Sequence, residues 1–234
     1  MNLARSRENT GRLFLSLIVV TFQISLTGCK DSVENLATDD DLLRLPTDQP
    51  TMLNQASLFP LTKGSRWKLQ ARKENEKGEE EVLVTSSRLV DGFTETVVET
   101  RSNGRAIRQE FYRWNDAVTQ MTSAGFADKV TLEPPFPLFR NPAKVGDTLS
   151  WSGVLRFKGS NAPGTGASRI SGIDKIRKFD VYRVDTVIRT TVNGGNAVFR
   201  IIRWLSPGVG LVRQRTVAGE SVIEKDLVEY TPGK

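Results

Sequence analysis

Cys29 is the only cysteine of this 234-residue chain, and the chain has no histidine. Lack of imidazole removes Ser-His-Asp and Cys-His nucleophiles, histidine-ligated zinc and the commonest general base. One thiol cannot close an internal disulfide, nor can it build a sulfur-ligated metal site. No Gly-x-Ser-x-Gly spacing offers a nucleophile elbow. Carboxylates remain. A facing pair could hydrolyse glycosides, but Glu95, Glu99, Glu110 and Glu224 lie in alternating, strand-like segments where a solvated face is expected. Asp39-Asp40-Asp41 lacks the alternating ligand spacing of a calcium loop. The glycine-rich stretches 207–212 and 163–166 lack phosphate-cradling spacing before a helix. The residues predict no enzyme, no metal and no cofactor. Four tryptophans, Trp67, Trp114, Trp151 and Trp204, are the better lead. Large and amphipathic, they can build a core or wall a ligand cleft.

The surroundings of Cys29 give its thiol a use. Arg5, Arg7 and Arg12 precede an apolar run from Leu13 to Leu26, which is broken only by Ser16, Thr21, Gln23 and Ser25. That is a charged n-region and an h-region too short for a membrane span, which needs about 20 apolar residues. The run ends in Leu26-Thr27-Gly28-Cys29, which resembles the lipobox of bacterial lipoproteins. Small residues let extended backbone enter a protease cleft, and a thiolate is nucleophilic enough to accept a glyceride. The resemblance implies residues 1–28 as a signal peptide, Cys29 as the lipidated first residue, and a membrane partner reached through two or three acyl chains. Lys30 stands where enterobacterial inner-membrane retention signals carry Asp. The expected place is therefore the cell envelope, at the outer membrane in a Gram-negative source.

These features need a folded body to carry. Residues 29–57, acidic and carrying Pro46 and Pro50, read as a tether. From Leu58 the texture changes to period-two alternation between turn signals, the mark of half-buried antiparallel strands. Tyr182, Val184, Thr186, Ile188 and Thr190 share one face of such a segment, and Asn193-Gly194-Gly195 supplies a tight turn after it. Asn103-Gly104 and Ala218-Gly219 mark two more hairpins. In the strand after residue 195, Phe199, Ile201 and Leu205 share one face and Val198, Ile202 and Trp204 the other, which predicts cover on both sides. No segment carries a sustained 3.6-residue apolar stripe, so residues 58–234 are expected to be all-β or nearly so. The stretches "FPLTKGSRW" (59–67) and "NPAKVGDTLSW" (141–151) echo one another, each leading through Lys and Gly to a Trp. They suggest two similar half-units of one sheet. The proline-rich stretch 132–142 would be the crossing between them, because proline is excluded from central strands.

"LFPLTKGSRWKL", "GIDKIRKFDVYRVDT" and "SPGVGLVRQR" resemble segments of a broad set of uncharacterised bacterial lipoproteins. Their domains look like the unclosed β-barrel of periplasmic lipoprotein carriers. That resemblance implies a curved antiparallel sheet, a half-barrel around an apolar cleft. The departure is Ile176-Arg177-Lys178 before Phe179, where relatives read Val-Pro-Ala-Gly. The chain carries a net charge of +6. Its bases are spread singly among acids along strands, which argues for a solvated surface and against a nucleic-acid partner. Two functions compete: a non-catalytic envelope protein binding an apolar ligand or a partner protein on its sheet, and a structural or accessory one whose sheet packs on itself. They differ in whether the protein's own side chains fill the concave face.

Overall fold

Trp67, Leu69 and Ala71 are buried while Arg66, Lys68 and Arg72 are exposed, so the first strand reads directly from its alternation. The computed structural model describes residues 57–234 apart from 75, 126–128 and 193–194. The signal-peptide and tether readings, Cys29, and the turn at Asn193-Gly194 lie outside the described residues. Twelve strands follow in chain order. The first six are β1 (Arg66–Lys73), β2 (Glu76–Val90), β3 (Phe93–Ser102), β4 (Arg105–Trp114), β5 (Val118–Gly125) and β6 (Val130–Arg140). The second six are β7 (Thr148–Phe157), β8 (Ser160–Ile176), β9 (Phe179–Val192), β10 (Gly195–Ser206), β11 (Gly210–Ala218) and β12 (Ser221–Thr231). Each pairs antiparallel with its chain neighbours, and the described residues contain no helix.

Two expectations are corrected here. The sheet is not an unclosed half-barrel: β1 pairs with β12 from Arg66↔Thr231 to Lys73↔Ile223, which closes the ring. Closure gives every strand a neighbour on both sides and confines the unpaired edge to short stretches such as β6 beyond Glu133. The proline-rich stretch is not a crossing outside the sheet but most of strand β6. Its prolines are tolerated because β6 pairs with β7 only at Thr131, Leu132 and Glu133. Beyond that point Pro134, Pro135 and Pro137 have no ladder bond to supply on the β7 side, as on an edge strand.

The two-fold echo extends into the register of the first strands of each half. Gly64 N–H donates to the Val84 carbonyl and Val84 N–H to the Ser65 carbonyl; Gly146, Ile170 and Asp147 make the same two bonds in the second half. Both glycines sit at left-handed φ, +87° and +93°, where a Cβ would be strained. A bulge follows in each half, at Thr85 and at Ser171, and its hydroxyl donates to the Val97 or Arg183 carbonyl. Val98 pairs with Glu110 as Val184 pairs with Arg203, and a second bulge follows Phe111 as another follows Trp204. β1–β6 and β7–β12 share these entry turns, bulges and pairings, and they differ at their last ladders, where β6 meets β7 at three residues and β12 meets β1 at eight.

The core lies inside the ring. Trp67, Phe136, Leu69, Ile170 and Leu205 are almost wholly buried there. Leu58 and Leu61, on the segment leading into β1, are buried beside them, and Phe59 packs on Trp67 and Tyr112 at ring distances of 5.6 and 5.7 Å. The outward faces carry ion pairs instead: Lys68–Glu229, Arg66–Glu81, Arg213–Asp226 and Arg88–Glu95. The only large exposed hydrophobics among the described residues are Leu89, Val198 and Val228. A barrel that crossed a bilayer would need an apolar outer band, and this outer face is charged.

Candidate functional site

Polar residues that alternate inward must find partners inside the barrel, because burying an unpaired charge costs several kcal/mol. β4 turns Arg108, Glu110 and Tyr112 inward; β2 contributes Glu80, β10 Arg203 and β12 Lys225. Arg108 Nη2 donates to Glu110 Oε1 at 2.7 Å, and the Tyr112 hydroxyl donates to Glu110 Oε2 at 3.1 Å. Lys225 Nζ reaches over β1 to Glu80 Oε2 at 2.5 Å. Arg203, 5% exposed, makes none of these bonds, and its Nη1 is buried without a hydrogen-bond partner.

The electrostatics follow from that crowding. Burial opposes the Glu110 charge, but Arg108, Arg203, the Tyr112 hydrogen bond and Lys225 outweigh it and hold the carboxyl below its usual pKa. Glu110 in turn raises the pKa of Arg108. Burial, and then the adjacent carboxylate, pushes the Tyr112 phenol upward, so it remains a hydrogen-bond donor at neutral pH. A small void of about 30 Å³ lies against this cluster, bounded on its apolar side by Phe59, Trp67 and Leu69. A cavity needs roughly 10–15 Å³ of such space to hold one water, so this one has room for about two waters and no acyl chain.

The four tryptophans do not meet in one cleft. Trp67 is fully buried, borders the void, stacks on Tyr230 at 5.4 Å, and donates Nε1–H to the Val209 carbonyl at 2.6 Å. Trp114 donates to Thr96 Oγ1 at 3.1 Å. Trp151 donates to the Pro134 carbonyl at 2.7 Å and packs on Phe136, closing the β6–β7 seam that the prolines leave open. Trp204 is on the outer face, donating to Asp174 Oδ2 at 2.8 Å with Arg183 and Arg213 about its ring.

Three of the four candidate carboxylates do sit on outer faces with cations: Glu95 with Arg88, Glu99 with Arg101, Glu224 with Arg215. Glu110 is the exception. Its inward position, and those of Arg108 and Arg203, could have been found only by noting that each shares a strand face with an aromatic or aliphatic core residue, Tyr112 or Leu205. Ser65 and Lys68 have the Ser-x-x-Lys spacing of a nucleophile and base. The fold separates them: the Ser65 hydroxyl accepts from Gly233 N–H, while Lys68 points outward to Glu229.

No family model matches the chain, and no curated protein matches it either. Solved structures do. A candidate exported protein with a YmcC-like fold from Bacteroides fragilis superposes with a TM-score of 0.53 at 14% identity, over 75% of this chain and 99% of that one. A candidate lipoprotein from Parabacteroides distasonis gives 0.46 at 12% identity, over 76% and 100%. The hypothetical lipoprotein YmcC from Escherichia coli gives 0.37 at 10% identity, over 75% and 90%. At these identities the Bacteroides likeness establishes a shared fold.

Proposed function

We propose that this chain is a lipid-anchored protein of the bacterial cell envelope that catalyses nothing and serves as a structural or accessory barrel. The observation that carries this reading is the filled lumen. Phe136, Leu138 and Phe139 of β6 and Trp151 of β7 occupy the space that an unclosed barrel would give to a ligand. The void left over is about 30 Å³, far below the several hundred Å³ of a small-molecule site. An apolar ligand inside the barrel would need β6 to leave the core. Any partner protein would meet the charged outer faces. The non-catalytic reading is supported by the missing imidazole and by the ion-paired carboxylates.

The anchor is Cys29, after removal of residues 1–28, with residues 29–57 as the tether and the outer membrane as the address in a Gram-negative source. Cys29→Ser removes the thioether acceptor. The variant is expected to leave the detergent phase on partitioning; equal partitioning of variant and parent would overturn the lipoprotein reading. For the barrel itself, native mass spectrometry of a soluble form starting at Lys30 should give the bare polypeptide mass. A lipid that co-purifies in stoichiometric amount would restore the ligand-binding alternative.

A further inference from the structure

Four charged side chains line the inner void, Arg108, Arg203, Lys225 and Glu110, and Glu80 stands behind Lys225 as its ion-pair partner. Two cation–carboxylate pairs use up both acids, Arg108 with Glu110 and Lys225 with Glu80. Arg203 is the remaining cation. It borders the void, is 5% exposed, and buries Nη1 with no partner among the described residues. A guanidinium does not shed its charge in proteins. Neutralising the cluster therefore needs an external negative charge.

We infer that the void binds one small monovalent anion, of chloride or formate size, with Arg203 as its principal ligand. Lys225 and Arg108 border the same space and add positive potential, and Gln214 and Thr100 offer neutral donors. The Arg108 side chain is 27% exposed, which leaves the cluster a route to solvent. The volume of about 30 Å³ admits an ion little larger than water and excludes a headgroup or a sugar. The anion completes the lumen as a structural ligand beside Arg203, which shares Glu110 with Arg108 and has no carboxylate of its own among the described residues of the cluster.

The test is a thermal melt of the soluble form in sodium isethionate, a bulky anion, with chloride substituted stepwise at constant ionic strength. Saturable stabilisation of about 3 °C or more is expected for the parent protein, with formate acting like chloride. Arg203→Met should melt at a temperature independent of the anion. No saturable response in the parent means that water alone fills the void, and an equal response in Arg203→Met means that surface cations bind the ion; either overturns the inference. Should Arg203→Met not fold, ³⁵Cl line broadening by the parent decides. Broadening reversed by formate but not by isethionate supports the site, and its absence overturns it.

Discussion

Glu110 and Arg203 occupy the same position in the two half-units. Each faces the lumen from the fourth strand of its half, β4 or β10, and these strands stand opposite one another in the ring. Each pairs with a valine that is 1% exposed, Val98 or Val184, and each lies next to the residue preceding a bulge. The duplicated position carries a carboxylate on one wall and a guanidinium on the other. At this position the two halves match in backbone pairing and are complementary in charge. That complementarity is incomplete, because Arg108 of the same strand takes Glu110 as its ion pair.

The first prediction is energetic. Glu110→Gln keeps the shape but leaves Arg108 and Arg203 with only Glu80, already paired with Lys225, as a carboxylate nearby. It should cost about 2–4 kcal/mol in urea unfolding. With Arg203→Met already in place one of those cations is gone, and the same Glu110 change should cost about 1 kcal/mol less. Strict additivity of the two changes would show that the opposed walls do not communicate.

The pH dependence has two arms with opposite origins. The folded pKa of Glu110 is depressed, so its contribution is present above the unfolded value near 4.5 and is lost as pH falls through the lower folded value. Tyr112 has a raised pKa. Its neutral phenol is favoured in the fold, and stability should decline as pH rises above its ordinary value of 10. Denaturant midpoints measured from pH 2 to 11 should show both arms. Glu110→Gln should flatten the acid arm and Tyr112→Phe the alkaline one; an unchanged profile in each variant would contradict the assignment.

How much of this was legible depended on the kind of signal. Alternation named the strands, and the Gly64 and Gly146 motifs exposed the two half-units, because both are local patterns. Phase within β4 was harder. Phe111 is apolar and Glu110 charged, so burial alone would turn Phe111 inward. The fold does the reverse because Tyr112 shares the face of Glu110, and Phe111 lies outside beneath the Lys129 ammonium at 3.9 Å. Closure left no local trace, since it depends on β1 meeting β12 at opposite ends of the chain. The prolines of β6 signalled a break correctly but not its extent: the ladder with β7 ends at Glu133, while the ladder with β5 skips from Thr131 to Phe136 and then resumes as far as Arg140.

That half-broken ladder makes Gly153 critical. A Cβ there would come within 2.4 Å of the Glu133 carbonyl oxygen and 2.7 Å of Trp151 Cζ2. The carbonyl is backbone and ends the short β6–β7 pairing, so it cannot give way as a flexible side chain would. Gly153→Ala should destabilise the barrel by about 1–3 kcal/mol through overpacking. Retained stability in guanidinium would mean that the seam is looser than its contacts imply.

Strand β10 offers the last test, because cover was expected on both of its faces and the outer one is only partly covered. Leu205 on the inner face is 1% exposed, whereas Val198 on the outer face is 37% exposed. Trp204 is intermediate, covered by Arg183 and Arg213 and tied to Asp174 rather than packed in a second core. Leu205→Ala removes a buried side chain that its rigid neighbours cannot replace, at a cost of about 2–5 kcal/mol. Val198→Ala should stay within about 0.5 kcal/mol, as exposed substitutions do. Trp204→Phe keeps a ring between the two arginines but loses the donor to Asp174, at about 1 kcal/mol. The urea midpoint should fall most for Leu205→Ala, less for Trp204→Phe and least for Val198→Ala. A Val198→Ala loss as large as that of Leu205→Ala would mean that a further layer covers the outer face of β10.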